Sequence, residues 1–157
     1  MISKLDLAIA KILDIICIAL VGGLFLLVTL VVGMRLSGLG SPAWSDEIVE
    51  LMLAWLIFLG AAGLWRRGEH FRVDLLDQLA SRPTTKRLLA IIVEVLCICF
   101  LGILTYFGMW FAWFATDTSP TFALARVFWF AAMPVSSALM LGYSLARLLQ
   151  ISVKPAN

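Results

Sequence analysis

A chain of 157 residues that is 62% hydrophobic and 14% charged, with a formal net charge of +2 and a mean hydropathy of +1.02, lies far from the soluble range of roughly 45–50% apolar and 25% charged. These proportions describe an integral membrane protein. The Lys and Arg residues gather in loops rather than along one helical face, so the electrostatic footprint of nucleic-acid binding is missing.

The chain opens on MISKLDLAIAKILD, where Ile2, Leu5, Ile9 and Ile12 recur at helical spacing. This lead-in carries Lys4, Asp6, Lys11 and Asp14, and the apolar run that follows is too long for a signal h-region and ends in no A-x-A-like site. It reads as mature protein that merges with a first crossing. Ile15–Met34, Val95–Thr116 and Val127–Ala146 are uncharged runs of spanning length, since about 20 residues at 1.5 Å rise cross a ~30 Å hydrocarbon core. The run Leu51–Trp65 is short, and extending it back to Asp46 restores a spanning length. Backbone in lipid must satisfy its own hydrogen bonds, and the connections are too short for a folded domain. The predicted fold is therefore an all-α integral membrane protein, a single membrane domain over 1–157 with helices at about 12–34, 46–66, 88–116 and 126–147.

In the second crossing Ser45 fits an N-cap, with Asp46 and Glu47 in a first turn where the helix dipole favours negative charge. Glu50 lies one turn deeper, on a stripe with Glu47, Ala54 and Phe58. An unpaired carboxylate near hydrocarbon costs on the order of a few kcal/mol, so Glu50 is explained by pairing with a polar group, by exposure at the interface, or by an ion pathway. No carboxylate falls at the centre of a crossing, which argues against a self-contained proton-coupled carrier. Trp55 lies deeper than the other tryptophans and is expected to pack against a helix. Trp44, Trp65, Trp110 and Trp113 fall near span ends, as headgroup-zone tryptophans do. Gly60, Ala61, Ala62 and Gly63 allow another backbone to approach, as do Gly108 with Ala112, Ala132 with Ser136 and Ala138 with Gly142. Packing within this chain and packing against another subunit explain them equally well.

The middle loop carries Arg66, Arg67, Gly68, Glu69 and His70, then FRVDLLDQLASRP. Phe71, Leu75, Leu76 and Leu79 share one face, which predicts a short interfacial amphipathic helix at about 69–81, stopped by Pro83. With four crossings, both termini and this loop share one side and hold ten Lys and Arg, against Arg35 and Arg126 on the other. The positive-inside rule places both termini in the cytoplasm, with attraction of the basic loop to anionic lipid as a secondary effect. Pro134 falls inside the last crossing and predicts a kink.

No nucleophile elbow, P-loop, dinucleotide fingerprint or HExxH occurs, so the expectation is a protein that is not an enzyme and carries no cofactor. Cys17, Cys97 and Cys99 form no C-x-x-C and read as packing residues. His70 is the single histidine, without a metal-ligand set around it.

Two stretches carry a resemblance: W44-S-D-E-I-V-E-L-M-L-A-W55-L-I-F-L-G60-A-A-G and R67-G-E-H70-F-R-V-D74-L-L. The Trp before an acidic pair, the mid-helix Trp, the Gly-Ala segment and the following Gly-x-His and Asp resemble the small membrane subunit, the Q or DctQ-type subunit, of tripartite ATP-independent periplasmic (TRAP) transporters. The pattern falls on Trp44, Asp46 with Glu47, Trp55, Gly60 with Ala61, Gly68 with His70, and Asp74. The later SPTFALARVFWFAAMPVSSALM resembles the family's outer loop and last helix, with Ser119, Pro120 and Pro134 in place. It departs where Ala125 and Arg126 stand for the family's usual Gly or Pro. The resemblance implies a multi-pass protein of the bacterial inner membrane that scaffolds a large membrane subunit and helps dock a periplasmic substrate-binding protein during sodium-driven uptake of an organic acid. It implies outer-face contacts at Trp44, Asp46, Glu47 and Arg126. Glu50, Ala54, Trp55, Gly60, Ala61 and Gly63 are the candidates for packing within the membrane or between subunits, and Gly68, His70 and Asp74 form a cytoplasmic loop motif. An independent small transporter or channel, and an accessory subunit of another membrane complex, are the alternatives.

Overall fold

The computed structural model describes residues 4–67 and 83–153. Among these residues five helices follow one another: α1 Lys4–Leu36, α2 Trp44–Arg67, α3 Pro83–Trp113, the one-turn α4 Val127–Phe130 and α5 Ala132–Val153. Taking α4 and α5 as one broken span, four helices among the described residues are long and apolar enough to cross a membrane. The expected amphipathic segment at about 69–81 lies outside the described residues.

Local chemistry sets the boundaries. The lead-in continues unbroken into the first span, so α1 is already helical at Lys4. It ends in a Schellman turn, with the Leu39 N–H donating to the Met34 carbonyl at 3.0 Å and the Gly38 N–H to Arg35 at 3.2 Å. Gly38 holds φ +75, the left-handed conformation this cap requires and glycine adopts without penalty. The third span starts at Pro83 rather than near residue 88, because proline's fixed φ suits a first helical position and its missing N–H is no loss there. Ser45 does not cap α2 by the expected route. It is buried within the first turn, and its hydroxyl turns back to donate to the Pro42 carbonyl at 2.7 Å. The expected helix at about 126–147 is interrupted at Ala131, which still keeps helical angles. Pro134 supplies no N–H for the Phe130 carbonyl, and regular bonding resumes as Val135 donates to Ala131 at 3.1 Å.

The helices pack around α2 and α5. Backbone neighbours run α1 to α2, α2 to α5 and α5 to α3, with α4 bridging α2 and α3. The core at their junction is Ala62, Trp65, Leu101 and Met140. Close approach of α3 to α5 depends on Gly108, where an added Cβ would lie 2.9 Å from Met133 Cε and 3.3 Å from Pro134. Hydroxyls cement the same seam: Thr105 donates to the Leu101 carbonyl at 2.7 Å and lies 2.9 Å from Ser137 Oγ. Ala112, Ala132 and Ser136 are buried there too, while the Ala138 and Gly142 pair faces outward.

Candidate functional site

Polar contacts concentrate at the two ends of the bundle, and neither end is built like a reaction centre. At one end the segment 117–126 folds into a hairpin, closed by an antiparallel bridge between Thr118 and Ala125. The Ser119 N–H donates to the Leu124 carbonyl at 2.8 Å and the Arg126 N–H to Asp117 at 3.0 Å. Glu47, in the first turn of α2, reaches across to this loop. Its carboxylate accepts from the Ser119 hydroxyl and from the Thr121 backbone N–H, the latter at 3.0 Å. Next to the hairpin, Trp55 Nε1 donates to the Phe128 carbonyl at 3.0 Å and ties mid-α2 to α4.

At the opposite end, ion pairs join α1 to α2 and α3 to α5, and a hydrogen bond links the two pairs. Arg66 grips Asp6 through two parallel bonds of 2.7 and 2.9 Å, and Arg67 meets Asp14 at 3.1 Å, so α1 is fastened to the end of α2. The fork geometry of guanidinium on carboxylate makes the first of these the stronger. Arg147 of α5 donates to the Trp65 carbonyl at 2.9 Å, satisfying one of the carbonyls that the end of α2 leaves open. The same guanidinium stands 3.8 Å from Glu94 of α3, whose side chain is 8% exposed. Trp65 Nε1 donates to the buried Ser144 hydroxyl at 2.9 Å. Trp65 is thus packed into the bundle at its span end rather than turned outward.

The residues singled out by sequence fall into distinct environments. Glu47 and the Asp117–Arg126 backbone tie meet at the hairpin end, where Trp44 and Arg126 are half-buried and Asp46 is exposed. Glu50 is exposed, and Ala54 and Trp55 are half-buried. Ala61 packs against the core beside fully buried Ala62. Gly60 and Gly63 have open space where a Cβ would stand, so nothing among the described residues fills that face. Gly68, His70 and Asp74 lie outside the described residues. Of the thiols, Cys97 packs against the core and Cys99 is exposed.

Sequence reasoning passed over Glu94, Asp6 and Asp14 as partners and Ser119 and Ser144 as anchors. A signal was available: each of those acids lies on the same predicted side as the arginine it meets, and Asp14 and Glu94 stand immediately beyond an uncharged run. What periodicity lacked was the rotation of each helix.

No group of His, Cys, Asp and Glu able to hold a metal occurs among the described residues. An open groove of about 330 Å³ on α3, between Phe100, Phe107, Trp110, Phe111 and Met133, is walled by apolar atoms. It lacks the convergent polar groups that orient a solute in a binding pocket. Chemically, the arrangement holds helices and a loop in place.

Comparison with known proteins gives the same direction. Residues 24–153 match the family described as tripartite ATP-independent periplasmic transporters, DctQ component. The chain is also 43% identical over 61 residues to the C4-dicarboxylate TRAP transporter small permease protein DctQ of Pseudomonas aeruginosa, a match covering 39% of this chain and 29% of that protein.

Proposed function

Because the chain belongs to the DctQ component family of tripartite ATP-independent periplasmic transporters, we propose that it scaffolds the large membrane subunit of such a transporter and helps dock the soluble substrate-binding protein during sodium-driven uptake of an organic acid. Proteins of this family are transport components of the bacterial inner membrane rather than enzymes. The observation that carries the scaffolding role is the match over residues 24–153, which spans from within α1 to the end of α5.

The fold supports the reading. The interior among the described residues is filled by Ala62, Trp65, Leu101 and Met140 together with the small side chains of Ser136, Ser137 and Ser144, packed helix against helix. Gly60 and Gly63 keep a face of α2 open to a second backbone. Both termini and the basic middle loop lie in the cytoplasm, so the hairpin end, with Trp44, Asp46 and Arg126, faces the periplasm. Glu50, Ala54 and the Gly60–Gly63 face contact the large subunit, and Gly68, His70 and Asp74 serve the cytoplasmic side.

The test is to tag the C-terminus, purify the protein from its native membrane in mild detergent and identify what accompanies it by mass spectrometry. A stoichiometric large multi-helix permease is the expected result. A chain that purified alone and moved solute in vesicles would be an independent transporter, and the scaffold reading would fall.

A further inference from the structure

The hairpin 117–126 is more firmly built than a simple connection needs. Its own backbone bonds close it, and the Ala123 N–H adds a bond to the Ser119 carbonyl at 3.0 Å. Glu47, 72 residues away in sequence, then holds it through Ser119 and Thr121. The Ser119 oxygen in turn accepts from the Phe122 N–H at 3.3 Å. As a result Ser119 is buried, while Phe122 and Leu124 stand out at 41% and 44% exposure. Ala123 between them is held at φ +52, a left-handed conformation that is unfavourable for a residue with a Cβ and persists only where the surroundings enforce it.

Two exposed apolar side chains near a membrane surface suit either lipid or a protein. Charge and shape separate the two. Asp46 in the first turn of α2 and Asp117 at the hairpin base carry exposed carboxylates that repel anionic headgroups, and Arg126, paired with Asp117 through the backbone at that base, is half-buried. Dipping into lipid demands no fixed shape, whereas a preformed tip lowers the ordering cost of meeting another folded surface. An apolar centre with a polar rim is the anatomy of a protein contact.

We propose that the 117–126 hairpin is the docking tip for the soluble binding protein, with Phe122 and Leu124 entering an apolar depression rimmed by basic residues. Glu47 is a positioning residue that acts through Ser119 and Thr121 and does not touch the partner. The inference rests on the small-subunit reading and on the hairpin facing the periplasm.

The experiment titrates the labelled, soluble binding protein onto the complex of this chain with its large subunit in nanodiscs. Phe122→Ser and Glu47→Ala are each expected to weaken binding about five- to tenfold, the size of truncating a contributing interface residue. Recovery of the large subunit should be unchanged, and Glu47→Gln, which keeps an acceptor for the Thr121 N–H, should restore most of the affinity. The double variant should be little worse than the weaker single, because both disable one tip. Fully additive losses would mean that Glu47 itself touches the partner and would overturn its positioning role. Unchanged affinity in Phe122→Ser, with the complex intact, would place the tip in lipid and overturn the docking role while the small-subunit reading stood. Loss of the large subunit in Phe122→Ser would make the hairpin an intersubunit contact instead. Should Glu47→Ala fail to fold, Ser119→Ala removes one of the two ties and carries the same expectation. A wild-type chain that captured no large subunit would defeat the reading beneath.

Discussion

The first and last spans make opposite use of the same solvent. Along α1 only Leu13 and Leu24 are buried among the described side chains, while Ile18, Phe25, Leu26 and Leu30 point away from the protein. Along α5 the buried residues are Ala132, Pro134, Ser136, Ser137, Met140 and Ser144. In water the oily helix would be the core and the serine-rich one the surface. In a bilayer lipid is as apolar as leucine, so burial rewards small residues that let backbones approach and hydroxyls that bond across helices. Interior position therefore tracks smallness and hydrogen bonding, and α5 is the axle of this molecule while α1 hangs on one edge.

The strongest way to break that contrast is at the charge buried against α5. Arg147→Leu strands the Glu94 carboxylate, which is 8% exposed where Arg147 is 36% exposed, and leaving a buried charge without its partner costs about 3–5 kcal/mol. Denaturant titration of the purified chain in detergent should show the loss, and Glu94→Leu combined with Arg147→Leu should recover part of it. The next effect separates two glycines of similar sequence context. Gly108→Leu must displace Met133 and Pro134 where α3 meets α5, and overpacking of this kind costs about 1–3 kcal/mol. Gly142→Leu enters open space and is expected to change stability by less than about 0.5 kcal/mol. Equal effects at the two positions would mean that the helices pack in another rotation.

Those glycines also mark what the sequence could and could not reveal. Four spans were legible from run length, because hydrocarbon thickness dictates it, and the resemblance over Trp44–Gly63 pointed to the family. Which small-residue pair faced inward was not legible: Gly108 with Ala112 and Ala132 with Ser136 lie in the seam, whereas Ala138 with Gly142 obeys the same spacing and faces out. Trp65 shows the same limit. Its place near a span end read as a headgroup tryptophan, and only the approach of Ser144 and Leu101 turns it into core. Glu47 read as a helix-dipole residue, and its bond to Ser119 depends on a hairpin that no local pattern announces.

A smaller effect is expected where α1 is fastened. Asp6→Asn weakens the grip of Arg66, but both side chains keep some solvent access, 27% and 19%, and solvent screens pairs of this kind. Global stability should fall little. Distance measurements between spin labels on α1 and α2 should broaden at the Asp6 end and stay narrow near Gly23, where an added Cβ would already touch Met52. Broadening along the whole helix would show that the ion pairs, rather than this apolar contact, set the position of α1.

The smallest effect belongs to the outer face of α1. Ile18→Ala and Leu26→Ala remove side chains that are 72% and 68% exposed. In a membrane the hydrophobic transfer term does not apply, because the shortened side chain leaves lipid in contact with lipid, and no cavity forms where nothing packed. For the chain alone the expected change is within about 0.5 kcal/mol. The informative measurement repeats the substitutions in the assembled complex. A face covered by lipid keeps its near-zero effect, whereas a face covered by the large subunit loses contacts and acquires a cost of about 2 kcal/mol or more. A helix that is dispensable to its own bundle but costly to alter in the assembly would owe its apolar surface to a partner, and the contrast between α1 and α5 would then be one between a core made within the chain and a core completed by another.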